Sequence, residues 1–215
     1  VMMKGTAKGC FAPHAGRVAL ILKCSTISPH HPEFDVCASR VEEALRLGAD
    51  AIAMALTVGS ADQAQLLSSL GALVREAETV GLPVIVHSYP CGELVPPDER
   101  YSVKQVGYAS RLVMELGVDI VKTFYTGSAE TFARVVEMAY PALVVAAGGP
   151  RLETDGDVLR MAYDVVQAGA DGITFGRNIW QSHDVAGIIG ALKHILHAGG
   201  TVAEATAMLA SGQEA

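Results

Sequence analysis

The sequence has few cysteines, no long apolar run and no block of charge of one sign. The four cysteines are Cys10, Cys24, Cys37 and Cys91, and they show no Cys-x-x-Cys spacing. A disulfide framework or a zinc cluster would be denser, so we expect reduced thiols in a cytoplasmic protein. No apolar run approaches the ~20 residues needed to cross a bilayer, so we expect no membrane partner.

The charge balance also excludes a class of partner. The formal charge is 16 − 23 = −7 at pH 7. Nucleic-acid-binding surfaces are typically basic, so we expect no nucleic-acid partner, and local donors would have to hold an anionic substrate. The chain has 215 residues, half of them apolar, and no obvious linker divides it. We therefore expect a single domain over residues 1–215.

What the sequence does contain is a repeat of apolar, strand-like runs separated by amphipathic, helix-like stretches. Six of these runs begin near Val18, Ala51, Pro83, Val118, Ala142 and Asp171. Near-identical junctions, "LGAD", "LGVD" and "AGAD", precede three of the runs and place a glycine where a helix should end. Alternating strands and helices predict an α/β fold with parallel strands.

The number of strands favours a barrel. The opening "VMM" brings the count to seven, whereas a TIM (β/α)8 barrel has eight strands and about 250 residues. We therefore expect a TIM barrel of which this sequence lacks the first strand and helix and the start of the second strand. The alternative is an open doubly wound sheet that is complete with seven strands.

A lysine interrupts one of the predicted strands. Lys122 lies in "DIVKTFYTG", among apolar residues that rarely include an ammonium group. Parallel barrels build their sites at the carboxyl ends of the strands, and residues two apart share a face. On this pattern Lys122, Tyr89, His87 and Lys23 meet at the top of one barrel if their faces point inward.

This group of residues suggests imine chemistry. A free lysine has a pKa of about 10.4, and burial together with a second cation lowers it enough to give a nucleophilic amine. Lys23 is a candidate for that cation, and Tyr89 for proton transfer. The alternatives are a salt-bridged or snorkelling Lys122, a core tyrosine, and a core histidine at position 87 with its hydrogen bonds satisfied.

Two glycine loops follow the last two predicted strands. "AAGGP" contains Gly148 and Gly149, and "FGRN" contains Gly176 and Arg177. Glycines let a backbone approach an anion, and barrels commonly bind phosphate in these two loops beside a short extra helix. "NIWQ" is predicted to begin that helix. The alternative for Arg177 is an outward ion pair.

No paired-histidine spacing indicates a catalytic metal, so we expect none. His30 and His31 lie between prolines and are predicted to be solvated loop residues.

The motifs "SYPCG", "VKTFYTG", "GGP" and "GRNIWQ" together resemble the DeoC/LacD-type superfamily of Schiff-base aldolases. They are most similar to the branch of archaeal-type class I fructose-bisphosphate aldolase and 2-amino-3,7-dideoxy-D-threo-hept-6-ulosonate synthase. The resemblance implies a barrel, a phosphorylated sugar substrate, no cofactor and a homo-oligomer, namely a decamer. By matching position, Lys122 forms the imine and Tyr89 moves the proton. Phosphate and substrate contacts are then expected from Gly148, Gly149, Gly176, Arg177, Lys23 and His87.

The sequence departs from this family in three places. His87 stands where the fructose-bisphosphate aldolases have tryptophan, and Cys91 stands where an arginine is usual. Nothing corresponds to the Asp-His-Gly-like end of the family's first strand. We expect fructose 1,6-bisphosphate as substrate, with the heptulosonate synthase reaction as the alternative. A non-catalytic phosphosugar binder and an acid–base barrel isomerase are the other readings.

Overall fold

The structure, a computed structural model, describes residues 1–28 and 30–212. The strands are β1 (Met2–Met3), β2 (Ile21–Lys23), β3 (Ser25–Ser28), β4 (His31–Cys37), β5 (Ala51–Thr57), β6 (Val84–Tyr89), β7 (Ile120–Phe124), β8 (Leu143–Ala147) and β9 (Gly172–Thr174). The helices are α1 (Lys4–Cys10), α2 (Val41–Arg46), α3 (Gln63–Glu78), α4 (Val103–Met114), α5 (Ala129–Ala139), α6 (Asp155–Gln167), α7 (Arg177–Trp180), α8 (Val185–Ala198) and α9 (Val202–Gly212).

Seven of the strands form one curled parallel sheet in the order β1-β2-β5-β6-β7-β8-β9. This order follows the chain without a reversal. A doubly wound sheet reverses its order at a switch point, whereas a barrel adds each strand beside the previous one. The predicted barrel-type α/β fold is therefore confirmed, and the doubly wound alternative is wrong.

The two faces of the sheet carry different side chains. The outer face packs against helices in the largest core cluster, which includes the fully buried Leu22, Ile52, Met54, Val86 and Val121. The inner face holds a small cluster of Ile21, Ala51, Ala53, Ile85 and Ile120. On β2, β6 and β7, the next residue on the inner face after this cluster is polar. Lys23, His87 and Lys122 therefore lie above an apolar floor, toward the carboxyl ends of the strands.

The three repeated junctions form the same clamp at the amino ends of the strands. The carboxylates of Asp50, Asp119 and Asp171 accept hydrogen bonds from the backbone N–H groups of Leu20, Val84 and Val144, at 2.7, 2.7 and 2.8 Å. The junction glycines all have positive φ angles, between 67° and 85°, as expected where a helix ends in a left-handed residue. Each clamp ties the start of one strand to the start of the preceding strand.

A hairpin that the sequence did not predict follows β2. Strands β3 and β4 pair antiparallel, with Ser25 opposite Cys37. The prediction that His31 lies in a loop is wrong, since it begins β4, although both His30 and His31 are exposed as expected. Pro32 masked this strand in the sequence, because proline is tolerated in strands mainly at sheet edges.

The predicted short helix after the second glycine loop is confirmed as α7. Within the described part of the chain, no helix combines the length and the apolar character that crossing a membrane requires.

Candidate active site

A cavity of about 390 Å³ opens at the carboxyl ends of β6, β7, β8 and β9, a volume within the usual range of small-molecule sites. It is lined by Tyr89, Lys122, Phe124, Ala147, Gly148, Gly149, Thr174, Gly176, Arg177 and Trp180. Six of the eight predicted site residues are in this set, and Lys23 and His87 are not. A larger groove of about 710 Å³ lies between α4 and α5, and it contains none of the predicted residues.

Lys122 occupies the inner face of β7, between the buried Val121 and Thr123. Burial lowers the pKa of its ammonium group, and the nearby charge of Lys23 lowers it further. Within the described residues Lys122 takes part in no salt bridge, which argues against the ion-paired alternative. Burial and the charge of Lys23 both raise the fraction of neutral amine at Lys122, and the neutral amine is the form that attacks a carbonyl group.

Lys23 is held by the hairpin and does not line the cavity. Its Nζ donates to the backbone oxygen of Ser25 at 2.8 Å and to the Ser25 hydroxyl at 2.6 Å, and it pairs with Asp35 at 3.3 Å. An ammonium group has three N–H donors, so these contacts use all of them. The prediction of a second cation near Lys122 is confirmed, whereas direct contact of Lys23 with substrate stays a prediction.

His87 lies beside Lys122 on the neighbouring strand, where the two residues are register partners. Burial, followed by the charges of Lys122 and Lys23, lowers the pKa of His87 to about 2, so the ring is neutral at physiological pH. Its Nε2 is enclosed and has no hydrogen-bond partner among the described residues. The alternative of a core histidine with all its hydrogen bonds satisfied therefore does not fit the structure. A role of His87 in substrate binding stays a prediction.

Tyr89 belongs to an aromatic wall that sequence analysis did not identify. Its ring stacks on that of Phe124, with the ring centroids 4.5 Å apart and the ring planes at 15°. The ring centroids of Phe124 and Tyr101 are 4.9 Å apart. Burial raises the pKa of the Tyr89 hydroxyl, and the nearby Cys91 adds to this shift. The side chain is therefore a phenol at neutral pH, able to donate a proton.

The two glycine loops are joined by Asn178, a buried residue that the sequence did not single out. Its Nδ2 donates to the backbone oxygen of Gly148 at 2.8 Å, and its Oδ1 accepts from the N–H of Leu152 at 2.8 Å. Arg177 donates through Nη2 to the backbone oxygen of Gly149 at 2.9 Å. The loop after β8 and the helix after β9 thus form one rigid rim of the cavity.

The glycines in this rim are required by space and by backbone conformation. A Cβ at Gly148 would lie 2.7 Å from the ring of Phe175, and a Cβ at Gly176 would lie 2.6 Å from the ring of Trp180. Gly149 has a φ of 62°, in the left-handed region that other residues rarely adopt. Larger residues would therefore displace the aromatic side chains that shape the rim.

No metal centre is evident in residues 1–28 and 30–212, since no three His, Cys, Asp or Glu side chains are grouped to hold an ion.

A parallel, barrel-type sheet with a lysine of lowered pKa, a phenol and two glycine loops at its strand ends is the arrangement expected of a TIM-barrel aldolase of the imine-forming type. The sequence profile described as "DeoC/LacD family aldolase" matches residues 3–182. The chain belongs to the DeoC/LacD family, and thereby to the class I, Schiff-base aldolases. The resemblance found in the sequence is confirmed.

Two characterised relatives cover most of the chain. The fructose-bisphosphate aldolase class 1 of Thermoproteus tenax is 36% identical over 191 residues, which are 88% of this chain and 72% of that protein. The 2-amino-4,5-dihydroxy-6-oxo-7-(phosphonooxy)heptanoate synthase of Streptomyces griseus is 31% identical over an alignment of 216 positions, which covers 99% of this chain and 78% of that protein.

A solved structure supports the same fold. It is an archaeal fructose-1,6-bisphosphate aldolase with its catalytic lysine covalently bound to the carbinolamine intermediate of the substrate. Its TM-score to this chain is 0.85 at 34% identity, and the match covers 91% of this chain and 76% of that chain.

Proposed function

We propose that this protein cleaves and forms a carbon–carbon bond in a phosphorylated ketose through an imine on Lys122. The first candidate reaction is the cleavage of fructose 1,6-bisphosphate to dihydroxyacetone phosphate and glyceraldehyde 3-phosphate. The observation that carries the proposal is the position of Lys122. An amine with a lowered pKa and no ion-pair partner in the described residues lines the same cavity as both glycine loops.

In the proposed mechanism, the neutral amine of Lys122 attacks the ketone carbon, and loss of water gives an iminium ion. The bond between the carbons α and β to the iminium carbon then breaks. Its electron pair moves toward the iminium nitrogen, which gives an enamine. The hydroxyl proton of the departing fragment is lost as that fragment becomes an aldehyde. The enamine takes up a proton, and water releases the ketone and regenerates Lys122.

Tyr89 is assigned to the proton transfer at the aldehyde oxygen. Since burial keeps its side chain as a phenol, it donates a proton to the alkoxide that forms in the condensation direction. In cleavage Tyr89 first gives its proton to the hydroxyl that leaves as water when the iminium forms, and the resulting tyrosinate then takes the hydroxyl proton of the departing fragment. Phe124 stacks on the Tyr89 ring and holds the hydroxyl in a fixed direction.

The phosphate is assigned to the rim formed by Gly148, Gly149, Gly176 and Arg177. The absence of side chains at the glycines lets backbone N–H groups approach an anion, and Arg177 adds a positive charge beside them. The hydrogen bond from Arg177 to Gly149 keeps that charge at the cavity mouth.

A transaldolase of the 2-amino-3,7-dideoxy-D-threo-hept-6-ulosonate synthase type is the second candidate. The Streptomyces griseus relative supports it, because the compound in its name carries a ketone at carbon 6 next to a phosphorylated carbon 7. Fructose 1,6-bisphosphate has the same arrangement at its first two carbons. A synthase of the Streptomyces griseus kind would therefore share with the aldolase the phosphorylated ketone bound by Lys122 and differ in the aldehyde, whereas a 3,7-dideoxy product has no oxygen at carbon 7 to carry a phosphate. A homo-oligomer is also part of this proposal, and light scattering of the purified protein tests it.

The test is an assay of fructose 1,6-bisphosphate cleavage with wild type, Lys122→Arg and Lys104→Arg. Lys104 lies in the outer groove, so this variant controls for the exchange of a lysine. We expect activity in wild type and Lys104→Arg and a loss of at least about a thousandfold in Lys122→Arg. Isomerisation in place of cleavage, retained in Lys122→Arg, would favour the isomerase reading, and binding without turnover in wild type would favour the non-catalytic reading.

The same assay separates the two candidate reactions. It is run in the condensation direction with dihydroxyacetone phosphate and either glyceraldehyde 3-phosphate or an amino-acid semialdehyde. Faster reaction with the semialdehyde would assign the synthase reaction in place of fructose 1,6-bisphosphate.

A further inference from the structure

A second chemically reactive group lies on the other face of the sheet. Cys24 follows β2 and is fully buried in the outer core, whereas Cys37 ends β4 and is exposed. The inner face of the same sheet carries Lys122, so this pair is separate from the candidate active site. Cys10 is also exposed and Cys91 is half-buried.

The fold brings the two thiols together. Cys37 is the register partner of Ser25, the residue that follows Cys24, so the two cysteines are neighbours across the β3–β4 pair. The backbone oxygen of Cys24 accepts from the N–H groups of Ala38 and Ser39, at 2.7 and 3.0 Å, which fixes the end of β4 against the end of β2. The sulfur of Cys37 also lies 3.8 Å from the sulfur of the buried Met54. The backbone therefore holds the two cysteines next to each other.

The two thiols differ in reactivity. The neighbouring Cys24 side chain lowers the pKa of the Cys37 thiol, whereas Cys37 and burial together raise the pKa of Cys24. Thiol exchange needs an exposed thiolate to attack and a second thiol nearby to complete the reaction. Cys37 has the properties of the first and Cys24 the position of the second.

We propose that Cys24 and Cys37 form a dithiol–disulfide site that exchanges with small disulfides of the glutathione type. The Cys37 thiolate attacks one sulfur of the small disulfide, whose sulfur–sulfur bond breaks and releases one thiolate. That thiolate takes the proton of Cys24. The Cys24 sulfur then attacks Cys37, the second small thiol leaves as a thiolate, and a protein disulfide remains. The two cysteines lose two electrons, and the small disulfide gains them as two thiols.

The new bond would lie next to the ion pair that holds Lys23. Cys24 follows Lys23 in the chain, and Cys37 is two residues after Asp35, which pairs with Lys23 at 3.3 Å. Oxidation therefore ties both ends of the hairpin together around that ion pair. This inference rests on the outer face alone, and it holds whether or not the protein is an aldolase.

The experiment treats the reduced full-length protein with oxidised glutathione, blocks free thiols with N-ethylmaleimide and analyses tryptic peptides by mass spectrometry. Residues 24–40 form one tryptic peptide that contains both cysteines and no internal lysine. We expect this peptide to lose two hydrogens and to carry neither maleimide nor glutathione. Cys10, without a partner cysteine, should end as a mixed disulfide.

Two variants identify the order of the steps. In Cys24→Ala, the peptide should stop with one glutathione on Cys37, and in Cys37→Ala the buried Cys24 should remain free to be blocked by maleimide after unfolding. Cys10→Ala is the matched control and should still form the internal bond.

The proposal is overturned if wild-type peptide 24–40 carries two maleimides, or two glutathiones, under conditions that fully modify Cys10. That result needs only the wild-type protein, so it decides the question even if Cys24→Ala does not fold.

Discussion

His87 and Lys122 are register partners on adjacent parallel strands, and both belong to the inner face of the sheet. If both side chains were protonated, two neighbouring cations would repel each other strongly in this partly dry interior. The structure resolves this by keeping His87 neutral, with a pKa of about 2, and by lowering the pKa of Lys122. Burial is the larger cause of both shifts, and the charge of Lys122 adds to the shift of His87 as the charge of Lys23 adds to that of Lys122.

The low pKa of His87 has a measurable effect on stability. In the unfolded chain the ring has a pKa of about 6.5, so below that pH the unfolded state binds a proton that the folded state does not. His87 should therefore lower the free energy of unfolding by up to ~1.4 kcal/mol per pH unit between about pH 6 and pH 3.

Urea unfolding at several pH values checks this prediction. His87→Gln should reduce the slope of stability against pH below pH 6, and the exposed His197→Gln should leave it unchanged. Equal slopes in wild type and His87→Gln would show that the folded protein does protonate this ring.

The charge of Lys23 should control the pH at which Lys122 becomes reactive. Removing it raises the pKa of Lys122, so the rise of imine formation with pH should move to higher pH. The double variant Lys23→Met/Asp35→Asn makes the test without leaving Asp35 as a buried, unpaired carboxylate. Borohydride trapping rates across a pH series measure the shift. Asp35→Asn alone keeps the Lys23 charge, so the pKa of Lys122 should not rise in this variant. A rise of that pKa in both variants would mean that the hairpin acts on Lys122 through its structure and not through the Lys23 charge.

The glycine rim should matter for phosphate binding. Gly148→Ala places a Cβ against the ring of Phe175, so the loop must move away from the cavity. We expect KM for the phosphorylated substrate to rise at least about tenfold, while trapping of an unphosphorylated ketone on Lys122 changes little. Gly190→Ala is the control, because nothing lies near its Cβ position on α8. Equal losses for phosphorylated and unphosphorylated substrates would contradict a phosphate role.

The aspartate clamps should contribute to stability rather than to catalysis. Asp119→Ala leaves the N–H of Val84 without its 2.7 Å acceptor at a buried position, which costs about 1–3 kcal/mol. Asp119→Asn retains an acceptor oxygen and should cost less. Urea unfolding of the two variants gives the comparison. If Asp119→Asn lowers the free energy of unfolding as much as Asp119→Ala does, the negative charge, and not the hydrogen bond, is the source of the stabilisation.

Much of the fold was predictable because its signals are local. Continuous apolar runs separated by amphipathic stretches predict buried parallel strands, and all seven were found. The position of Lys122 beside the two glycine loops followed from one rule, that parallel strands carry their site at their carboxyl ends. The cavity that unites Lys122, Tyr89 and Arg177 agrees with that rule.

The features that sequence analysis missed depend on contacts between distant residues. Asp35 lies beside Lys23 only because the β3–β4 hairpin forms. Pro32 kept that hairpin from being predicted, because proline is unusual within a strand. Asn178 is one polar residue in the short helix α7, and its contact with the loop at Pro150, 28 residues earlier, is seen only in the folded chain. The stacking of Tyr89 on Phe124 likewise requires knowing which strands are neighbours.

The central claim is that Lys122 forms an imine with a phosphorylated ketone, and trapping tests it most directly. Wild-type protein is mixed with dihydroxyacetone phosphate, reduced with borohydride and digested with trypsin. A modified Lys122 blocks cleavage, so we predict one adduct on a peptide spanning residues 112–134. Complete cleavage after Lys122 in folded protein, with the adduct absent or on another lysine, would contradict the account.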